Sequence, residues 1–157
     1  MGTYIAQADV ESFFGTENVA EWGDPDGDAN TTTIAARVTD SIAWAEGYVS
    51  DRLRGGGYQI PFVADGSAGA TLGTLTRCMV LLAGADLYGR RGMAEGRPES
   101  QAMAGHRKAA EETISQIAAD QIRLPALRRS SRMTTAPYVV TPERAAAAQS
   151  RIGNGGG

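Results

Sequence analysis

Residues 32–54 read TTIAARVTDSIAWAEGYVSDRLR, and Gly55-Gly56-Gly57 follows at once. Ile34, Val38, Ile42, Ala45, Val49 and Leu53 recur at steps of three and four, the spacing that lines one face of an α-helix. Asn30 to Thr33 supply side-chain oxygens for the free amides of its first turn, and the three glycines end it. The stretch therefore predicts a helix of about six turns that buries one stripe. Tyr58-Gln59-Ile60-Pro61-Phe62 then reads as an extended crossover, because Pro61 breaks a helix and biases Ile60 towards β geometry.

Before this helix, Val10, Phe13 and Phe14 fall at i, i+3 and i+4 ahead of Gly15, which suggests a short N-terminal helix of about two turns with one apolar face. A further short turn is expected around Val19 and Trp22. After the crossover, residues 69–91 carry Leu72, Leu75, Met79, Val80, Leu81, Leu82 and Leu87, and are apolar nearly all round. A helix with so little polar face belongs in the middle of a packed domain. Asp86 and Arg90 stand in the favourable i,i+4 order for an ion pair. A third long helix is expected over residues 98–121, with Pro98 near its start, a stripe of Met103, Ala110, Ile114 and Ile117, and Leu124-Pro125 to close it.

Together these readings predict an all-α fold: three long helices plus a short N-terminal one, joined by the extended crossover. The helical body covers residues 1–125. Residues 126–157 read differently, as a C-terminal arm with a possible short strand at Pro137-Tyr138-Val139-Val140 and a short helix from Thr141-Pro142-Glu143 to Ile152. A lone helix of about ten residues is unstable in water, and one short strand makes no sheet. The arm is therefore expected to be held by a neighbour, by strand addition for example. Arg128, Arg129, Arg132, Tyr138, Val139 and Val140 are its candidate contact residues.

At 157 residues the chain is one domain's worth of polypeptide. No stretch reaches the ~18 apolar residues of a membrane span, and no secretion signal is apparent. The single Cys78 rules out an internal disulfide and suits a reducing cytosol. Charge is unevenly placed: residues 1–65 hold 11 acids and 3 bases, whereas residues 66–157 hold 7 acids and 12 bases. Subunits that stack on one another can use such a gradient.

Catalytic and cofactor chemistry finds little to rest on. Asp24, Asp26, Asp28 and Asn30 alternate like calcium ligands, but Ala29 and Ala35 occupy the positions where an EF-hand loop needs glycine and glutamate. A solvated turn leading into a helix cap fits better. One cysteine and one histidine are too few for a zinc site. His106, beside Arg107 and Lys108, reads as a surface residue, and Cys78 as a packed small hydrophobe. Gly89-Arg90-Arg91-Gly92 sits at a helix C-terminus, the wrong dipole end for a phosphate. No catalytic residue, cofactor or metal is therefore assigned. The arginines of the arm could clasp DNA, yet no aromatics are interleaved among them and the pI is near 5.2. Arginine is equally the preferred cation of protein interfaces, which is the favoured reading.

The order of these features resembles the Mu-like phage head–tail connector, or neck adaptor, family. Tyr4-Ile5, Val10, Phe13-Phe14-Gly15 and the Asp-Gly-Asp loop resemble its start. Tyr48, Leu53 and Arg54 followed by Tyr58-x-Ile60-Pro61 resemble its first long helix and crossover, with a triple glycine inserted and Ile60 where leucine is common. Leu87-Tyr88-Gly89-Arg90-Arg91-Gly92, and Arg107 through Ile114 and Ile117 to Leu124-Pro125, look like its later helices. The likeness spans about residues 3–125. It implies a non-enzymatic virion subunit that forms a ring, commonly of twelve copies, below the portal protein. Such a ring would continue the DNA conduit to the next neck (stopper) or tail-terminator protein, with an arm reaching the portal. The rival reading is a helical, oligomeric DNA-binding packaging or regulatory factor.

Overall fold

The computed structural model describes residues 4–62, 69–92, 98–124 and 127. Within them the chain is mostly helical and contains no strand, an all-α arrangement of five helices: α1 (Gln7–Phe14), α2 (Thr16–Gly23), α3 (Thr31–Gly55), α4 (Gly69–Arg90) and α5 (Pro98–Ala118). The expected C-terminal strand and helix lie outside the described residues.

Helix α4 is the centre. Leu75, Cys78, Met79, Val80, Leu81, Leu82, Ala83, Leu87 and Tyr88 all join one buried cluster, and α4 touches α1, α2, α3 and α5 in turn. The near absence of a polar face is thus explained by four neighbouring helices that cover most of it. Helices α3 and α5 also pack on each other, and their stripes fill the space between: Val38, Ile42, Ala45, Val49 and Leu53 from α3, and Met103, Ala110, Ile114 and Ile117 from α5.

The N-terminal region is more ordered than its short apolar pattern suggests. Residues 16–23, expected as a single turn, form the full helix α2, which buries Val19 and Trp22. Val10 is buried, but Phe13, expected on the same apolar face, points outward at 41% exposure with the Arg77 guanidinium 5.6 Å from its ring. Phe14 instead lies on α4 at Gly84, where an added Cβ would come within 2.1 Å of its ring. From there the aromatic rings continue edge to face, Phe14 to Trp22 at 5.3 Å and Trp22 to Tyr88 at 5.4 Å, so that α1, α2 and α4 share one seam. The Tyr88 hydroxyl extends the seam to Ser100 of α5 at 3.3 Å.

Helix ends follow local chemistry. Asn30 caps α3 by accepting from Thr32 N and Thr33 N at 3.1 and 3.3 Å. In the acidic loop, Asp24 accepts from Asp28 N and Ala29 N, Asp28 accepts from Asn30 N, and Asp26 pairs with Arg37 at 2.6 Å. These carboxylates are engaged in shaping a turn. At its far end α3 closes with a Schellman motif: Tyr58 N donates to Leu53 O, and Gly57 N to Arg54 O. Gly57 takes the left-handed position at φ 86°, while a Cβ on Gly56 would stand 2.7 Å from the Ala118 carbonyl oxygen. Helix α5 ends in the same way three residues earlier than expected. Asp120, at φ 63°, takes the left-handed position, and Gln121 N donates back to Gln116 O at 2.9 Å.

Glu46 ties the start of the chain to α3. Its Oε1 accepts from Tyr4 N at 2.6 Å and from Ile5 N at 2.9 Å, and the residue is 8% exposed. The Tyr4 hydroxyl accepts from Phe62 N at 3.1 Å, and the two rings lie 5.1 Å apart. The crossover is held from the other side by the Tyr58 hydroxyl, which donates to Ile117 O at 3.3 Å.

Glu46→Ala leaves two backbone amides without their acceptor and is expected to destabilise the protein by about 2 kcal/mol or more in urea unfolding. Glu46→Gln, which keeps an oxygen at that position, should cost less. Gly84→Ala ought to gain nearly 1 kcal/mol of helix propensity, yet the clash with Phe14 should turn that into a loss of about 1–3 kcal/mol. Repeating Gly84→Ala on a Phe14→Ala background removes the clash, and thermal unfolding should then show the substitution to be neutral or stabilising.

Candidate protein-interface site

The six arm residues singled out from the sequence, Arg128, Arg129, Arg132, Tyr138, Val139 and Val140, lie outside the described residues. The buried body reaches Leu127, which is 6% exposed and donates its N–H to Leu124 O at 3.0 Å.

Within the described residues, the outer surface where α3, α4 and α5 meet carries a joined set of polar and aromatic side chains. Asp86 Oδ2 accepts from the buried Ser41 hydroxyl of α3 at 2.8 Å and from Arg90 Nε at 2.8 Å. The i,i+4 pair expected from sequence is therefore anchored to a second helix as well. Arg107 of α5 makes the corresponding pair with Glu111, Nε to Oε1 at 2.9 Å, and its guanidinium lies 5.5 Å from the Trp44 ring of α3. Trp44 stacks on Tyr48 at 5.6 Å with 26° between planes, and Arg52 covers Tyr48 at 5.5 Å. In the order Arg107, Trp44, Tyr48, Arg52, two stacked rings of α3 carry a cation at each end, forming a ladder.

Between α4 and α5 the same surface opens into a groove of about 350 Å³, lined by Ala85, Asp86, Gly89, Arg90, Met103, Ala104 and Arg107. A second cleft of about 410 Å³ lies beside the aromatic seam, with Phe14, Trp22, Tyr88 and Met103 as walls, Glu99 at one side and the 2.6 Å Arg91–Glu21 ion pair at another. Cys78 is buried, and desolvation pushes its thiol up from the ordinary value, opposed by the positive charge of Arg77. A protonated, covered thiol is a poor nucleophile. His106 is half-buried and not the plain surface residue expected: its ring stands 6.1 Å from both Phe13 and Phe14, edge to face. Among the described residues no group of three or more His, Cys, Asp or Glu side chains could hold a metal ion. Nor is any described helix long and apolar enough to cross a membrane.

No protein-family model matches this chain, and no curated protein or solved structure does either.

Tryptophan, tyrosine and arginine are the side chains that dominate binding energy at protein interfaces. Their concentration on one outer surface makes this the described region best suited to a protein partner. Trp44, Tyr48 and Arg52 stand at i, i+4 and i+8, so the α3 half of the ladder was readable from spacing alone. Arg107 over Trp44 and Ser41 on Asp86 are contacts between helices, which no single-helix pattern reveals.

Cys78 is expected to react with a thiol reagent at least about tenfold more slowly in the native protein than in urea, at neutral pH. Time courses of 5,5′-dithiobis(2-nitrobenzoate) labelling measure both rates.

Proposed function

We propose that this chain is a non-enzymatic structural subunit of a tailed-phage-type particle, a head–tail connector that forms a ring below the portal and continues the DNA conduit towards the tail. The observation that carries the reading is the ordered set of motifs over residues 3–125 that resembles the Mu-like neck adaptor family. The places these motif residues occupy support a structural role. Tyr4 and Ile5 hang on Glu46, Tyr58 closes α3, and Arg90 braces Asp86. They hold the helices together.

In this reading α3, α4 and α5 form a three-helix bundle, and the arm completes itself as strand and helix only against a partner. The ring takes many copies, twelve being common in the family. The portal contacts Arg128, Arg129, Arg132, Tyr138, Val139 and Val140, and the next neck protein, a stopper or tail terminator, docks on the opposite side. DNA passes through the bore without sequence-specific binding, and the protein resides in the virion neck. The uneven charge of the two halves suits subunits that meet side by side.

Replacing Arg128, Arg129 and Arg132 together by Glu should abolish co-sedimentation with portal and leave the helical circular dichroism unchanged. Immunogold labelling of purified particles should place the protein between head and tail. Label elsewhere, or salt-sensitive DNA binding by the isolated chain, would favour a packaging or regulatory factor instead.

A further inference from the structure

We propose that the groove between α4 and α5 is a docking site for a carboxylate-bearing segment of a partner protein, held by Arg90 and Arg107. Its residues are not those assigned to the arm, and its test needs no assembled particle.

Both guanidinium groups are positioned in the same way. Arg90 is fixed at Nε by Asp86, which Ser41 holds from α3, and Arg107 is fixed at Nε by Glu111 with its plane resting near Trp44. In each case Nε is occupied and the Nη atoms have no protein partner among the described residues. What remains is the end-on edge of the guanidinium, two parallel N–H groups that match the two oxygens of a carboxylate. Bracing from behind lowers the entropy lost when such a contact forms.

Both arginines line the same groove, at side-chain exposures of 42% and 50%. Between them Ala85, Gly89 and Ala104 put little bulk in the way, so a partner backbone can approach closely. Met103 adds an adaptable apolar patch to the same groove. At about 350 Å³ the groove is near the small end of ligand sites, which run from roughly 300 to 1,000 Å³. It suits one or two side chains better than a cofactor. The adjoining Trp44–Tyr48–Arg52 ladder offers the continuation of the contact along α3.

Charge decides between a protein and a nucleic acid here. Asp86 and Glu111 stand beside the two cations, so the neighbourhood is close to neutral. A polyanion with one charge per ~1.7 Å of duplex would meet both acids along with both arginines. A segment that brings a single carboxylate can pair with an end-on edge without laying a row of charges along Asp86 and Glu111, and its apolar side chains have Met103 and the alanines to rest on.

The test uses the full chain and a fluorescein-labelled peptide of alternating Glu and Leu, read by fluorescence anisotropy. Saturable binding is expected. Arg90→Lys with Arg107→Lys keeps both charges but removes the paired N–H edges, and should weaken binding by about tenfold or more. Ala104→Trp, which fills the groove and leaves both arginines in place, should weaken it to a similar degree. Lysine replacements at Arg54 and Arg123, exposed arginines away from the groove, should change it less than about twofold. Unaltered binding in the double lysine variant would reduce the interaction to general charge attraction and overturn the proposal. So would the absence of peptide binding, or tighter binding of a labelled DNA duplex lost in the same variants.

Discussion

Burial of most of α4 is the condition the rest of the molecule answers to. A helix carrying Leu75, Met79, Val80, Leu81, Leu82 and Leu87 offers water no acceptable face, so it is stable only when surrounded. Two long helices cannot enclose it. The remaining arc is covered by α1 and α2, and this explains why two eight-residue helices, too short to persist alone, are ordered at all. Phe14 on Gly84 and Trp22 against Tyr88 are the contacts through which they cover it.

Apolar burial alone would leave the rotation and height of these helices loosely defined, since well-matched hydrophobic surfaces can slide past one another. Directional polar contacts remove that freedom. Asp86 joins α3 to α4, Glu46 joins the chain start to α3, and the Tyr58 hydroxyl joins the crossover to α5. Each is a hydrogen bond between distant parts of the chain, part-buried or buried, where a misplaced partner is costly. The near-meeting of Gly56 with Ala118 sets the same constraint sterically, because only a glycine lets the last turns of α3 and α5 come so close.

What sequence revealed and what it hid divides along the same line. The stripes of α3 and α5, the all-apolar α4, the Asn30 cap and the Asp86–Arg90 pair are regularities within one helix, and period and spacing expose them. Helix α2 reads as a turn because only Val19 and Trp22 mark its apolar side, too few for a period to show. Spacing from Val10 puts Phe13 and Phe14 on one inward face, whereas α4 accommodates Phe14 and leaves Phe13 exposed. The end of α5 reads three residues too late because a left-handed aspartate is a weaker signal than glycine or proline. Of the surface described as a partner site, the Trp44–Tyr48–Arg52 row had a readable period; the bracing of Arg90 and Arg107 depends on side chains brought together from three helices. The Arg128–Val140 segment, by contrast, was legible as an oddity of composition, lacking the means to fold by itself.

The clasp at Glu46 has a bearing on the order in which the fold can close. The acceptor of Tyr4 and Ile5 lies about forty positions further along the chain, and Phe62 almost sixty from Tyr4. Loops of that length cost conformational entropy before they bring any contact. One carboxylate and one tyrosine ring therefore act best as a latch on helices that have already met, and contacts of this range slow folding more than those within a helix.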